Sequence, residues 1–152
     1  MRKLLTLEDI HEREKTMVFM FHDLCEKHGL RYYLCGGTLL GAVRHQDFIP
    51  WDDDLDFFMP RKDYEVFVKK WKDYEPGKRY ILSDTTLDYV DRNNFATLRD
   101  SETTQIKPYQ KDLRIPHGVA LDVIPLDGYP DGKWKRKFQC MWALIYQLFR
   151  AQ

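Results

Sequence analysis

Residues 51–57, Trp51-Asp52-Asp53-Asp54-Leu55-Asp56-Phe57, carry the pattern that decides the fold of this chain. Alternate residues of a β-strand share one face. The spacing therefore predicts a strand that buries Leu55 and Phe57 and places Asp54 and Asp56 together on the opposite face. Two carboxylates about 7 Å apart along a strand repel each other, and a cation between them relieves that repulsion. The stretch predicts a strand that carries a site for a divalent cation.

Two other interpretations of the acidic stretch are weaker. An exposed acidic loop explains most clusters of Asp, but apolar Leu55 and Phe57 and a helix start at Pro60 speak against it. A calcium loop beginning at Asp52 would need Gly in place of Phe57 and Glu in place of Asp63. Mg²⁺, with Mn²⁺ as the alternative, suits the pattern because it takes one or two carboxylates together with water and phosphate oxygens.

Two further segments extend the predicted site. Upstream, Gly36, Gly37 and Thr38 follow a short strand and open a helix, where backbone amides can approach a phosphate. A Gly-Gly pair alone is usually only a turn, and its place just ahead of the acidic strand makes it informative. Downstream, Asp122 stands among apolar residues on the best late strand, where an unpaired carboxylate is costly. Asp122 is expected either to have an Arg or Lys partner or to join the cation site.

The periodicity around these segments predicts an α/β (α+β) fold, with a mixed sheet flanked by helices. Helices are expected from the N-cap Thr6 to Gly29, over 38–45, from Pro60 to about Trp71, and from Trp134 to the chain end. Strands are expected at Tyr32–Cys35, Leu55–Met59, Tyr80–Leu82, Phe95–Arg99 and Val119–Ile124, with polar loops over 84–94 and 101–114.

The composition is that of one folded domain spanning residues 1–152, with 43% hydrophobic residues. The 24 basic and 24 acidic residues cancel, so no global field favours nucleic acid. Three cysteines without paired spacing favour a reduced, cytoplasmic chain. The sequence shows neither a signal-peptide core nor a membrane-spanning stretch, so we expect membrane contact to be peripheral at most.

The motifs resemble those of the LicD family, within the nucleotidyltransferase superfamily. The resemblance rests on residues 37–45 (GTLLGAVRH), 48–56 (FIPWDDDLD) and 59–61 (MPR), with further similarity over 97–100 and 117–128. Asp47 departs from the family, which usually has Gly there. The chain also stops inside an apolar helix where family members continue, so we expect it to be part of a longer protein. LicD proteins are phosphocholine transferases of surface polysaccharides such as lipopolysaccharide and teichoic acid, related to fukutin-type glycan phosphotransferases.

The resemblance implies transfer of phosphocholine, or a related phospho-alcohol, from CDP-choline or another CDP-alcohol to a sugar hydroxyl of a bacterial surface glycan. Asp54 and Asp56 would hold Mg²⁺, with Asp122 as a third ligand or as the base, and with Asp52 assisting. Asp53 is expected to point away. The acceptor could be lipid-linked, which would bring the cytoplasmic protein to the inner face of the membrane.

The donor is expected to bind through a second set of residues. Its diphosphate would lie on Gly36, Gly37 and Thr38, and its charged oxygens would meet Arg44, Arg99 and His45. Two alternatives remain open: transfer of the nucleoside monophosphate by the same acids, and a catalytically silent nucleotide-binding module.

The C-terminal segment from Lys133 allows two interpretations. Basic residues surround Trp134 and precede an apolar stripe that ends near Phe149. A core helix with a basic first turn is favoured, and a membrane-surface helix is the alternative.

Overall fold

The computed structural model describes residues 4–74, 79–83, 93–112 and 115–150 and shows a five-stranded mixed sheet with helices, which confirms the predicted fold class. The helices are α1 (Leu7–His28), α2 (Gly36–Arg44), α3 (Arg61–Tyr74) and α4 (Lys133–Arg150), with a 3₁₀ turn at Pro108–Gln110. The strands are β1 (Tyr33–Leu34), β2 (Leu55–Pro60), β3 (Tyr80–Ser83), β4 (Ala96–Asp100) and β5 (Ala120–Leu126). Most of the predicted loop over 84–94, and residues 113 and 114 of the other, lie outside the described residues.

The strands follow the order β1-β2-β5-β4-β3 across the sheet. The central pair, β2 and β5, is parallel, whereas the other pairs are antiparallel. Helices α1 and α3 contact each other and the central strands. The acidic strand is therefore central, and its register with β5 positions the site.

Helix α1 begins and ends where its sequence predicts. The Thr6 side chain accepts a hydrogen bond from the Asp9 backbone N–H, and the Asp9 carboxylate accepts one from the Thr6 backbone N–H, which forms a capping box. Gly29 ends the helix at a φ of 63°, a left-handed conformation that glycine adopts without strain. Between these caps the helix buries Met17 and Phe21 in the core.

Strand β2 shows the predicted alternation. Leu55, Phe57 and Met59 are buried, whereas the intervening residues are only half-buried. The predicted helix start at Pro60 is wrong by one residue, because Pro60 still pairs with Leu126 in the sheet and α3 begins at the next position. A proline is tolerated there because a strand end does not require its missing N–H.

Asp100, at the end of β4, links this strand to α1 and to Arg79 just ahead of β3. Its fully buried carboxylate accepts hydrogen bonds from Arg13 of α1 at 2.7 Å and from two nitrogens of Arg79 at 3.0 Å. Its backbone carbonyl lies where a Cβ on Gly118 would stand, so that position has no room for a side chain. Burial alone would raise the pKa of Asp100, but the hydrogen bonds from Arg79 and Arg13 hold the pKa below its usual range.

Helix α4 does not pack as a core helix, so the favoured interpretation of the C-terminal segment is wrong. Trp134 is 83% exposed and Phe149 is 74% exposed. Polar contacts, such as the Tyr146 hydroxyl donating to Asn94 Oδ1 at 2.7 Å, link the helix to the rest of the chain. Helical periodicity predicted the apolar stripe correctly, but the described elements bring no apolar surface to cover it. Among the described residues, no helix is long and apolar enough to cross a membrane.

Candidate active site

Asp56 and Asp122 face each other across the central strand pair. They are direct register partners in parallel β2 and β5, so both side chains project to the same face of the sheet. Thr97 of β4, the next strand, donates a hydrogen bond to Asp122 Oδ1 at 2.6 Å. The two acids thus lie on adjacent strands and on one face of the sheet.

The surroundings of Asp56 and Asp122 raise the pKa of both carboxyl groups. Burial raises the pKa of Asp122 to about 6, Asp56 adds to the rise, and the hydrogen bond from Thr97 opposes it. Burial and the charge of Asp54 raise the pKa of Asp56. Two carboxylates held this way have a high affinity for a proton or a cation.

The loop before β2 gathers the other three acids. One carboxylate oxygen from each of Asp52, Asp53 and Asp54 lies within 4.8 Å of the other two. The prediction that Asp53 points away is wrong, because these residues precede β2 and the alternation of a strand does not extend to them. The Asp53 carboxylate also accepts a hydrogen bond from Gln105 at 3.1 Å.

The turn that opens α2 is shaped by close contact with these acids. Gly36 has a φ of 54°, and a Cβ there would lie 3.4 Å from Asp56 Oδ2. A Cβ on Gly37 would collide with Asp52 Oδ2. The Thr38 hydroxyl accepts a hydrogen bond from the Asp56 backbone N–H at 2.8 Å. Anything bound on this turn therefore lies directly beside the carboxylates.

Two basic side chains stand on the acidic face. Arg99 of β4 is almost fully buried, and its charge lowers the pKa of Asp122. Lys107 lies 3.5 Å from Asp54 Oδ2, and its charge also lowers the pKa of Asp56 and Asp122. Arg99 and Lys107 line a small cavity of about 40 Å³ beside Asp122. No local pattern marks Lys107, which lies in a polar segment without periodicity.

Arg44 and His45 lie elsewhere. Both are exposed at the C-terminal end of α2, eight or more residues beyond Gly36, which is about 12 Å along a helix axis. The His45 ring contacts Trp51 edge-on, with centroids 6.3 Å apart. Arg99 thus lies beside the acids, whereas Arg44 and His45 lie at the opposite end of α2 from the glycine turn.

Sequence reasoning also missed Glu14 of α1. Its side chain is fully buried, and neither carboxylate oxygen has a hydrogen-bond partner within the described part of the chain. Burial, followed by the charges of Asp54, Asp53 and Asp52, raises the pKa of Glu14 to about 8. A Glu in the middle of an amphipathic helix normally indicates a solvated face, so the sequence carried no signal for its burial.

The donor chemistry of this region fits a hard divalent cation. Every acid in it offers carboxylate oxygen, the ligand that Mg²⁺ prefers. The buried, unpartnered oxygens of Glu14 and the acidic loop beside it leave negative charge that Lys107 and Arg99 offset only in part. The residues present are therefore compatible with the predicted cation.

A larger cavity of about 400 Å³ opens next to the acids, between α1, α2 and the loop before β2. Its lining is mainly apolar and includes the rings of Phe19 and Phe48. Asp52 and Asp54 line the same cavity. The region therefore joins an acidic centre to an aromatic pocket.

We expect the cation-free protein to become more stable as the pH falls from about 8 to about 5.5. The folded state binds the Glu14 proton more tightly than the unfolded state does, so stability rises as pH falls through the folded pKa of about 8 and levels off near the unfolded value of 4.5. Over this interval of about 2.5 pH units, at about 1.4 kcal/mol per unit and allowing for partial protonation at pH 8, a gain of about 3 kcal/mol is expected. Urea unfolding in EDTA at both pH values measures it. Glu14→Gln should flatten the profile, and an unchanged slope in that variant would contradict the assignment.

Comparison with known proteins finds one matching family and several relatives of this chain. A family model described as LicD/FKTN/FKRP, nucleotidyltransferase domain, matches residues 29–126. The chain is 48% identical over 131 residues to the lipopolysaccharide cholinephosphotransferase LicD of Haemophilus influenzae. The aligned region covers 85% of this chain and 47% of that protein. This chain thus spans about half the length of that relative.

A more distant relative shares a short region. The human ribitol 5-phosphate transferase FKRP is 64% identical over 31 residues, or 20% of this chain and 6% of that protein. The residues matched by the family model include the acidic loop, β2 and β5, whereas Glu14 lies outside them.

Proposed function

Since the chain belongs to the LicD/FKTN/FKRP nucleotidyltransferase-domain family, we propose that it transfers phosphocholine, or a closely related phospho-alcohol, from a CDP-linked donor to a sugar hydroxyl of a surface glycan. The observation that carries this proposal is the direct pairing of Asp56 with Asp122 beside the turn at Gly36. Phosphoryl transfer requires charge neutralisation and positioning more than covalent chemistry, and this face offers both.

Asp54 and Asp56 would hold Mg²⁺ or Mn²⁺, which would neutralise the donor diphosphate. Asp122 would act as the base. Thr97 fixes its Oδ1 at 2.6 Å, and its pKa near 6 suits a group that takes a proton at neutral pH. The acceptor hydroxyl oxygen attacks the phosphorus that carries choline, its proton passes to Asp122, and the P–O bond to CMP breaks.

The positive charges for the donor come from two side chains that already border the acids. Arg99 and Lys107 flank the small cavity beside Asp122, where they can meet phosphate oxygens. The backbone amides at the start of α2, over Gly37 and Thr38, lie on the other side of the acids and favour negative charge. The diphosphate would lie between these two groups.

The choline group would enter the aromatic pocket. A quaternary ammonium is attracted to the face of an aromatic ring, and Phe19 offers such a face in the 400 Å³ cavity. Phe48 also lines the cavity, but its ring already stacks on His11 and has Lys15 Nζ 5.9 Å from its centroid. Asp47 and Asp54 line the same cavity and add negative charge, which Lys15, 3.7 Å from Asp47 Oδ2, offsets in part. An ethanolamine headgroup fills less of this volume, so the pocket should prefer the bulkier, more apolar choline.

Titration calorimetry with CDP-choline, CDP-ethanolamine, CDP and a nucleotide sugar tests this proposal. With Mg²⁺ present, we expect CDP-choline to bind at least about tenfold more tightly than the others, which corresponds to about 1.4 kcal/mol. Removing Mg²⁺ with EDTA should abolish binding, because the diphosphate and the carboxylates then repel each other. Phe19→Ala, at a 68% exposed position, should weaken CDP-choline binding but leave CDP binding unchanged.

Each arm of that experiment can contradict one part of the proposal. Equal affinity for all four ligands would remove the choline assignment, and undiminished binding in EDTA would remove the bridging cation. Product analysis separates the second candidate, which the name of the matched domain favours. Release of CMP supports phosphocholine transfer, whereas release of phosphocholine with CMP joined to the acceptor supports nucleotidyl transfer.

A further inference from the structure

Helix α4 contacts the rest of the domain through its polar side. Gln139 Nε2 donates a hydrogen bond to the Gly128 carbonyl oxygen at 3.0 Å, and Arg136 Nε donates one to the Pro130 carbonyl oxygen at 2.8 Å. The hydroxyl contact of Tyr146 described above belongs to the same side. At about 100° per residue, these three side chains of α4 fall within about 80° of one another around the helix axis. The helix is therefore held to the domain by polar contacts.

The apolar side of α4 turns away from the domain. Six large apolar side chains fall within about 120° around the axis, and they are between 45% and 83% exposed. We call these six residues the outer face of α4: Trp134, Phe138, Met141, Trp142, Leu148 and Phe149. An amphipathic helix of a globular domain normally turns its apolar stripe towards the core. In α4 the orientation is reversed, so the outer face is available to a partner.

Exposed lysines flank the outer face on both edges. Lys133 and Lys137 follow each other one turn apart along one edge, and Lys135 lies at the other edge. Residues 133–150 contain no Asp or Glu. The whole chain has no net charge, so this positive charge is a local property of the helix. Apolar rings between lysines on an acid-free helix match a surface that is apolar below and negatively charged above.

We propose that α4 lies in the plane of an anionic phospholipid surface. The outer face would enter the boundary between headgroups and acyl chains, and the three lysines would reach the lipid phosphates while their apolar stems stay at the boundary. A protein groove also accepts apolar side chains, but lysines on both edges favour a partner of uniform negative charge. The polar side keeps its contacts with the domain, so this docking requires no rearrangement of α4.

This surface is separate from the proposed transfer reaction. Helix α4 lies beyond residues 29–126, which the family model matches, and none of its residues borders the acidic centre or the aromatic pocket. Binding to lipid can therefore be measured without donor, cation or acceptor. Failure of the lipid experiment leaves the transfer proposal standing, and the reverse holds as well.

Co-sedimentation of the whole chain with sucrose-loaded vesicles tests the proposal. We expect vesicles made of equal parts of phosphatidylcholine and phosphatidylglycerol to bind the chain at least about tenfold more tightly than vesicles of phosphatidylcholine alone, because each lysine near an anionic surface adds attraction. Added salt should weaken the binding, since it screens exposed charges. Phe138→Glu, which places a charge on the outer face, should weaken binding to the anionic vesicles at least about tenfold.

The matched control for Phe138→Glu is Gln147→Glu. Position 147 is exposed and lies nine residues further along α4, which is half a turn away around the axis. Both substitutions change the charge of the helix by the same amount, and Gln147→Glu should bind anionic vesicles within about threefold of the wild type. Because Phe138 is already 60% exposed, both variants should keep the circular dichroism spectrum and melting temperature of the wild type.

Three results would overturn the proposal. Equal binding of the wild type to both kinds of vesicle would show general apolar adhesion instead of recognition of an anionic surface. Undiminished vesicle binding in Phe138→Glu would show that the outer face is not the contact. The third result is a wild type that ignores vesicles but self-associates in analytical ultracentrifugation, with Phe138→Glu remaining monomeric. In that case a second copy of the chain covers the outer face.

Discussion

Asp56→Asn is expected to lower kcat/KM for phosphocholine transfer about 1,000-fold, which corresponds to about 4 kcal/mol of transition-state stabilisation. The substitution removes the charge that lies directly opposite Asp122 in the parallel register. A neutral amide binds a divalent cation less strongly than a carboxylate does. The variant should therefore bind the cation weakly, and the negative charge of the donor diphosphate would lack its counter-ion.

The fold should tolerate this change. The backbone contacts of residue 56, to the Thr38 hydroxyl at 2.8 Å and from the Cys35 N–H at 3.2 Å, do not involve the side chain. Repulsion between the two acids is relieved, so the melting temperature in EDTA should be equal or higher. Asp127→Asn, in an exposed ion pair with Arg61 just beyond β5, is the matched control and should retain activity. Near-normal Mg²⁺-dependent turnover in Asp56→Asn would refute its role.

Asp100→Asn is expected to have the largest effect on stability, a loss of about 3 kcal/mol. The carboxylate is fully buried and receives both Arg13 and Arg79. The Asn side chain would direct its NH₂ group at one of these guanidinium groups. Both groups are hydrogen-bond donors, so the amide NH₂ and that guanidinium N–H are each left without an acceptor. Urea unfolding at pH 7 measures the loss.

The exposed pair of Arg61 and Asp127 again provides the comparison, since Asp127→Asn should cost less than about 1 kcal/mol. The pKa of Asp100 is held below its usual range by the two arginines. Its contribution to stability is therefore present at neutral pH and is lost as the pH falls through that lowered pKa. A loss below about 1 kcal/mol in Asp100→Asn would show that the buried pair contributes no more than an exposed one.

The sequence predicted the parts of the fold and site that depend on local periodicity. Alternation on β2 identified which of Leu55 and Asp56 faces the core, and the caps of α1 followed from Thr6 and Gly29. A special role for Asp122 was predictable because an unpaired carboxylate on an otherwise apolar strand is costly. Such features are visible because each depends on neighbours two to four residues away in the chain.

Long-range contacts account for what the sequence did not predict. Lys107 and Glu14 reach the acids from a loop and from α1, and no local pattern marks either one. The orientation of Asp53 depended on where β2 begins, which a repeat of acids cannot specify. The exposure of α4 depended on whether another surface covers its stripe.

The parallel pairing of β2 with β5 also determines when the site can form during folding. The paired residues Asp56 and Asp122 are 66 positions apart in the chain. Closing so long a loop costs entropy before any contact compensates for it, which makes non-local parallel pairing intrinsically slow. The capped helix α1 is local and can form within microseconds, whereas the two acids become neighbours only when β5 docks. During synthesis on the ribosome, the acidic strand must therefore wait, without its partner, until residues 120–126 have emerged.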